Sequence, residues 1–390
     1  MNFTREEYSL RFEKVKKKMS EKDLDILIIS DPSNMNYLTG YDGWSFYVPQ
    51  GVIIALDKDE PIWFGRKQDS NGARITTFLK EENILGYPEN LIQSPPSHPY
   101  DYVANFIHEN KWEKKNIGVE MDSYYYTAEN HNRLLSKCPN ANFKNGHLIV
   151  NWIRYIKSDA EIAFMQEGAK LVQAGMQTAY NEIKPGVKQS YVAGKIQQTL
   201  LAGNDQTQIG GEYSGLNIIL ASGKSASASH LTHTDEKFVS GEATIIEIAG
   251  AYKRYHCPMA RTVLLGKKDQ KKIDTMKATN EALDAGISVT KPGNTVDDIA
   301  QKFWGILDKY NIKKDSRTGY SIGIGYPPDW GEQTFNILKG DKTILQPNVT
   351  FHMIAVMQFG DWGVEASEAV RVTETGSELF CNLSRELHIK

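Results

Sequence analysis

The sequence predicts an α/β (α+β) protein of two domains, the second of which is built from two similar halves. Three observations carry this reading. Short apolar runs bounded by Gly, Pro, Asp or Asn alternate with amphipathic stretches through roughly the first 150 residues. A fresh helix signal, Ser158 followed three residues later by Glu161, then opens near residue 155. Finally, "IKPGVKQSYVAGKIQQTL" from Ile183 is echoed 107 residues later by "TKPGNTVDDIAQKFWGIL" from Thr290.

In chain order, "YSLRFEKVKKKMSEK" has the mixed apolar and charged spacing of an amphipathic helix. "LDILIIS" follows as a strand, and "DPSN" is turn-rich. Further strands are expected in "YVPQGVIIALD", "EPIWFG" and "NIGVEMD". After the capping signal, Ile162, Met165 and Leu171 can share one helix face. The domains are therefore placed at 1–155 and 156–390. In the echo, each copy has Lys-Pro-Gly, a polar gap and a helical pattern behind a longer helical segment. Its period is too long for a solenoid and suits duplication of an αβ half-domain; the alternative is a coincidence of common turn punctuation.

The composition is that of an ordinary soluble protein, with 40% hydrophobic and 24% charged residues among 390. A net charge of −3 and a pI near 6.3 offer no basic footprint for nucleic acid. No apolar run is long enough for a membrane span, and the N-terminus lacks a secretory h-region. Three scattered cysteines, Cys138, Cys257 and Cys381, fit neither a disulfide framework nor a zinc knuckle. A cytoplasmic location is the expectation. No glycine-rich segment has phosphate-loop spacing, and no Gly-x-Ser-x-Gly elbow is present.

Chemistry concentrates in "SASASHLTHTD", "IIEIAGAYKRYHCPM" and "FGDWGVEASEAVRV". Glu247 stands inside an apolar strand-like run, where a carboxylate is either functional or paired in a structural network. His230 follows small residues that suggest a loop beside a cleft; the alternative is a solvent-facing loop histidine. His256, nine residues beyond Glu247, is close enough for a hairpin to set the two strands side by side, or it is a hydrogen-bonded core residue. His233 and His352 are assigned structural roles. "GYSIGIGYPPDWGE" offers Tyr320, Tyr326 and Trp330 to line a pocket. In "GYDGWSFYVPQ", Trp44, Phe46 and Tyr47 are too closely spaced to share one strand face; they suit either a cationic ligand or ordinary packing. Glu365 is expected on the face it shares with Ser367.

The segments "DPSNMNYLTGYDGWSFYV", "GYPEN", "SHPYDY", "EIAGAYKRYHCPMARTV" and "GYPPDWGE" together resemble the creatinase, aminopeptidase P and methionine aminopeptidase family over nearly the whole chain. That resemblance implies a creatinase-type α/β N-terminal domain followed by a pita-bread domain with pseudo-two-fold duplication. The family's metal-using members hold their ions with Asp, Asp, His, Glu and Glu. With "ARTV" anchoring the register, these positions fall here on Glu247, Pro258, Tyr320, Ile354 and Ser367. The implication is an enzyme with no metal and no cofactor.

Within the family the chain is most similar to the ectoine hydrolases. This similarity implies hydrolytic opening of a cyclic amidine, with Glu247 as nucleophile or general base and His230 in proton transfer. His256 and Glu365 would orient groups or balance charge. Tyr320 would donate a hydrogen bond, Trp330 would line the pocket, and Trp44, Phe46 and Tyr47 would cover the ring, from the neighbouring subunit of a homodimer. Ectoine and hydroxyectoine are the implied substrates, and a deacetylase the implied downstream partner.

Overall fold

In the computed structural model, which describes residues 1–390, the amphipathic opening forms α1 (Arg5–Glu21), with Thr4 accepting the Glu7 N–H at its start. The chain divides into two units, Met1–Arg154 and Tyr155–Lys390.

The first unit continues with β1 (Ile26–Ile29), α2 (Pro32–Thr39), β2 (Gly51–Ala55), β3 (Ile62–Arg66), α3 (Ser70–Thr76) and β4 (Ile84–Tyr87). It is completed by α4 (Pro99–Glu109), β5 (Asn116–Val119), α5 (Ala128–Lys137), β6 (Asn142–Asn145) and α6 (Ile149–Arg154). Its sheet has the order β4-β3-β2-β1-β5-β6, antiparallel across β3-β2-β1 and parallel elsewhere. Strand alternation fills both faces: Leu27 and Ile29 meet Phe12, Val15 and Met19 of α1, while Ile26 and Ile28 join Tyr100, Val103 and Ile107 of α4. The "DPSN" segment corrects the sequence reading. It is a helix start, with Asp31 capping Ser33 N–H and Pro32 in the first turn, where a missing N–H costs nothing.

The second unit opens on α7 (Asp159–Glu182), whose Ser158–Glu161 capping box closes in both directions. Then come α8 (Gln189–Ala202), β7 (Ile219–Ser222), β8 (Ala243–Tyr252), β9 (Tyr255–Leu264), α9 (Gln270–Ser288) and α10 (Val296–Lys309). The chain finishes through β10 (Gly319–Tyr326), β11 (Asp329–Asn336), β12 (Thr350–Phe359), β13 (Trp362–Val372), β14 (Ser377–Leu379) and β15 (His388–Ile389). The main sheet has the order β14-β13-β12-β10-β9-β8-β7, with β11 beside β10 and β15 beside β9.

The sequence echo is visible in this order. A long helix, a Pro-Gly turn, a shorter helix and then strands ending in a long hairpin occur twice: α7-α8 with β8-β9, and α9-α10 with β12-β13. Isolated bridges join Lys188 to Lys237 and Thr295 to Ile344, the same pair of places in each half at the same 107-residue offset. The β8-β9 and β12-β13 hairpins are therefore equivalent elements, and every group of the site described next lies on them, on the β10-β11 hairpin or on the loop entering β10.

Helix α7 reaches β8 closely enough that backbone touches backbone. A Cβ on Gly168 would sit 2.9 Å from the Gly250 carbonyl oxygen, and one on Gly250 would strike the Gly168 carbonyl. Gly250→Ala is therefore expected to cost about 1–3 kcal/mol by overpacking. A lowered midpoint for thermal unfolding of the second unit would register the loss; an unchanged midpoint would refute the close approach.

Candidate active site

Glu247 stands in the middle of β8, opposite Ile219 of β7 and Ala260 of β9. Covered strands read as continuous apolar runs, so the one acid in "ATIIEIAG" must sit among apolar neighbours. It is 7% exposed, and its carboxylate accepts no hydrogen bond from the protein. Burial, reinforced by the charge of Asp329, pushes its pKa up to about 7. Glu365 of β13 is buried as well, and its pKa is raised well above the ordinary carboxylate range by burial and by the charge of Glu247, with Lys314 pulling the other way. Two buried carboxyl groups thus face one another, and near neutral pH they cannot both be charged cheaply.

Around them stand donors. Tyr320, on β10, receives the Trp330 indole N–H on its hydroxyl oxygen at 2.8 Å and lies 3.4 Å from His352 Nδ1. Burial and the charges of Glu247 and Asp329 raise its pKa well above the usual phenol value, so it stays protonated. His352 Nε2 is 2.6 Å from the Ser367 hydroxyl, which accepts the Ala260 N–H, also at 2.6 Å. Burial, with the charges of Arg261 and Arg317, lowers the His352 pKa to about 3, leaving a neutral ring. At the rim, the exposed Arg317 guanidinium lies 4.4 Å from the centre of the Tyr320 ring and bonds the Asn336 side chain. Lys314, three residues earlier, is half-buried, and desolvation lowers its ammonium to about 8. The site is therefore polarised, with acids at its floor and cations on the loop that enters β10.

Of the five positions that would hold ions in the metal-using pattern, Pro258 and Ile354 offer no donor atom, and the Ser367 hydroxyl is spent on Ala260 and His352. No group of three His, Cys, Asp or Glu side chains is placed to bind a metal ion. These residues do not fit a metal pair.

The other sequence-derived candidates are scattered. The hairpin expected to join Glu247 and His256 exists, but its register pairs His256 with Ala251, four residues along β8 and about 13 Å from Glu247's position at strand rise. Both His256 ring nitrogens are engaged: Nε2 accepts the Gly215 N–H at 2.8 Å, and Nδ1 donates to the Arg254 carbonyl at 2.9 Å. Burial lowers its pKa to about 4. It is thus a neutral tie to the segment before β7, and the orienting or charge-balancing role expected of it finds no available nitrogen. His230 is exposed in the loop after Ser227, with a positive φ of 64°. Trp44, Phe46 and Tyr47 lie in the first unit between α2 and β2, where Trp44 and Phe46 rings pack 4.7 Å apart and Tyr47 accepts a bond from Arg66. Tyr326 packs on Tyr213 and Arg254.

Sequence reasoning missed His352, Lys314, Arg317 and Asp329. A signal existed for the first: alternation along β12 puts residue 352 on the same face as Ile354, one of the five positions. The two cations directly precede "TGYSIG", but no periodicity marks a loop residue as facing a site.

Residues 163–374 match the model for metallopeptidase family M24, and residues 11–156 match the creatinase/prolidase N-terminal domain. Among curated proteins the chain is similar to an ectoine hydrolase of Halomonas elongata, at 43% identity covering 100% of this chain and 98% of the relative. It is also similar to a Xaa-Pro dipeptidase of Pyrococcus furiosus, at 22% identity covering 97% and 99%. Among solved structures, a recombinant prolidase from Thermococcus sibiricus aligns with TM-score 0.85 at 18% identity, covering 98% and 99% of the two chains.

The raised Glu247 pKa has a consequence for stability. A carboxyl that binds its proton more tightly when folded contributes stability that is fully present below the unfolded pKa and is lost as pH rises through about 7. Glu247→Gln, a mimic of the protonated form, should therefore raise the unfolding midpoint of the second unit at pH 8 and leave it nearly unchanged at pH 5. Equal effects at both pH values would contradict a raised pKa.

Proposed function

Because the chain belongs to metallopeptidase family M24, whose members are hydrolases, and carries the creatinase/prolidase N-terminal domain, we propose that it is an ectoine hydrolase that works without a metal ion. One observation supports this above the others: Glu247 is a buried carboxylate without a counter-ion, beside Tyr320 and Asp329, and it asks for a cation from the ligand. Ectoine is a cyclic amidinium bearing a carboxylate. Its positive ring matches the acids at the floor, and its carboxylate matches Arg317 at the rim, whose planar fork suits a carboxylate.

The amidinium carbon is the electrophile. Glu247 acts either as nucleophile, attacking that carbon with its own carboxylate to give an adduct that water then cleaves from it, or as general base, taking a proton from a water whose oxygen attacks. A tetrahedral adduct forms, a ring C–N bond breaks, and the departing nitrogen takes up a proton. Addition of one water overall yields N-acetyl-2,4-diaminobutyrate. Glu365, held protonated by its surroundings, hydrogen-bonds the substrate and keeps a second negative charge off the floor until the cation arrives. Trp330 is assigned to line the substrate pocket behind Tyr320, to whose hydroxyl its indole N–H is bonded at 2.8 Å. His230 is assigned to protonating the leaving nitrogen, a role supported by the sequence resemblance. Trp44, Phe46 and Tyr47 are assigned to cover the ring across a homodimer. Hydroxyectoine is a second candidate substrate, and a deacetylase is the partner that the acetylated product calls for.

Chelator-treated protein incubated with ectoine should produce the ring-opened N-acetyl product by proton NMR. Turnover of creatine instead would overturn the substrate, and turnover only after a divalent metal is added would overturn the mechanism. Glu247→Gln should lower kcat by at least about 10²-fold, and an adduct trapped on Glu247 and seen by mass spectrometry would select direct attack. Arg317→Ala should raise KM for ectoine well above its effect on the same ring lacking the carboxylate. Equal effects on the two substrates would remove Arg317 from carboxylate recognition.

A further inference from the structure

We propose that Ser367 and His352, which touch neither substrate nor each other's backbone, fix the direction of the Tyr320 hydroxyl so that its proton is committed to the atom bound beside Glu247. The argument follows the polarity of a hydrogen-bond chain whose two ends cannot reverse. The Ala260 backbone N–H is a donor only, and it reaches the Ser367 hydroxyl oxygen at 2.6 Å. Ser367 must place its own proton elsewhere, and His352 Nε2 lies 2.6 Å away. With Nε2 accepting, the neutral ring carries its proton on Nδ1, which faces the Tyr320 oxygen at 3.4 Å. The Trp330 indole N–H, again a donor only, occupies the same Tyr320 oxygen at 2.8 Å. Both lone pairs of that oxygen are then taken. The phenol proton has no acceptor on this side and is left to point toward the side on which the Glu247 and Asp329 charges act on Tyr320.

The reverse polarity is less satisfactory at each end. A proton on His352 Nε2 would give Ser367 two incoming donors and no acceptor for its own hydroxyl proton. Tyr320 would then turn its proton back to Nδ1 and present only a lone pair to the cavity, next to Glu247, where an oxygen bearing lone pairs repels the nucleophile. His352 is wholly buried and its pKa is lowered, so no third, doubly protonated state competes. Ser367 and His352 are positioning residues, and Tyr320 is the group that touches the reacting atoms. In the proposed reaction, on which this consequence rests, the directed O–H stabilises the adduct as the C–N bond breaks, much as a preorganised donor does for an oxyanion.

The test does not need turnover. In full-length protein selectively labelled with 15N-histidine, two of the nine histidines, His256 and His352, should stay neutral from pH 5 to 9, and each should carry its proton on Nδ1. The His352 signal is assigned by its absence from His352→Asn. Ser367→Ala should move the His352 proton wholly or partly to Nε2 and lower kcat about 10²-fold at nearly unchanged KM. Ser367→Thr, which keeps the hydroxyl, should restore both the tautomer and the rate, and Tyr320→Phe should match the loss in Ser367→Ala. Wild-type His352 protonated on Nε2, or a Ser367→Ala variant with full kcat, would overturn the proposal. If Ser367→Ala does not fold, the wild-type tautomer decides. If the wild type opens no amidine while the tautomer is as expected, the reading of function fails and the directed hydroxyl stands.

Discussion

The geometry of the site depends on one buried guanidinium. Arg261 has five N–H donors, and all five have acceptors: Ser384 O from Nε, Ala260 O and Ser367 O from Nη1, and Leu383 O and Glu368 from Nη2. In sheet order, β10 and β12 separate β9 from β13, so these two strands share no ladder. Their approach across the curl of the sheet is made by side chains alone. Arg261 ties the β9 backbone to β13, Thr262 exchanges two bonds with the Glu365 backbone at 2.8 Å, and Ser367 takes the Ala260 N–H. Removing one partner from such a buried network leaves an unpaired charge and costs several kcal/mol. The position of Glu365 relative to Glu247 is therefore set by the Arg261, Thr262 and Ser367 side chains.

That rigidity explains how a strained electrostatic arrangement survives. Glu247 and Glu365 face each other with no ion pair to either; Lys314 only partly offsets the charge at Glu365, and Asp329 adds to the repulsion at Glu247. In a pliable pocket these groups would rotate to solvent or recruit a lysine. Here the strands carrying them are clamped, so burial first and the repulsion second appear as raised pKa values instead of displacement. A cationic ligand relieves both at once, which makes the affinity of the site a property of charge state as well as shape. The other buried ion pair of this unit, Lys157 with Glu332 at 2.5 Å, shows the contrast: an acid with an adjacent ammonium is a fixed strut.

Much of the architecture was legible because it follows from periodicity and punctuation. The strand runs, the Ser158–Glu161 box and the repeated Lys-Pro-Gly segment all rest on local rules, and each occurs in the structure as the corresponding element. "DPSN" was misread for a local reason: Asp-Pro-Ser is as good a helix start as a turn, and burial of all eight residues of α2 decides between them. Glu247 was legible as an acid in an apolar run. His256 was misleading because nine residues suggest a hairpin but do not give its register, and the register puts Ala260 opposite Glu247. His352, Ser367 and Arg261 were illegible as a group, since their meaning arises only when β9 and β13 meet across two intervening strands.

The five positions of the metal-using pattern show why a single-residue comparison misleads. Counted one by one, Pro258, Ile354 and Ser367 are losses. Taken together, the losses on β9, β12 and β13 are coupled, because ions bridging these strands would also hold them together. With Ser367 in place of a ligand, its oxygen joins Ala260 of β9 to His352 of β12, so one hydroxyl spans the strands that shared ligands would span. Tyr320 then closes the circuit to β11 through Trp330. A carboxylate at 367 could not do this, since an ionised acceptor has no proton to give to His352 Nε2 and would draw that nitrogen's proton toward itself. The chain of bonds would then reverse, and Tyr320 would face the cavity with a lone pair. A hydroxyl at 367 is thus what the proposed polarity of the network requires.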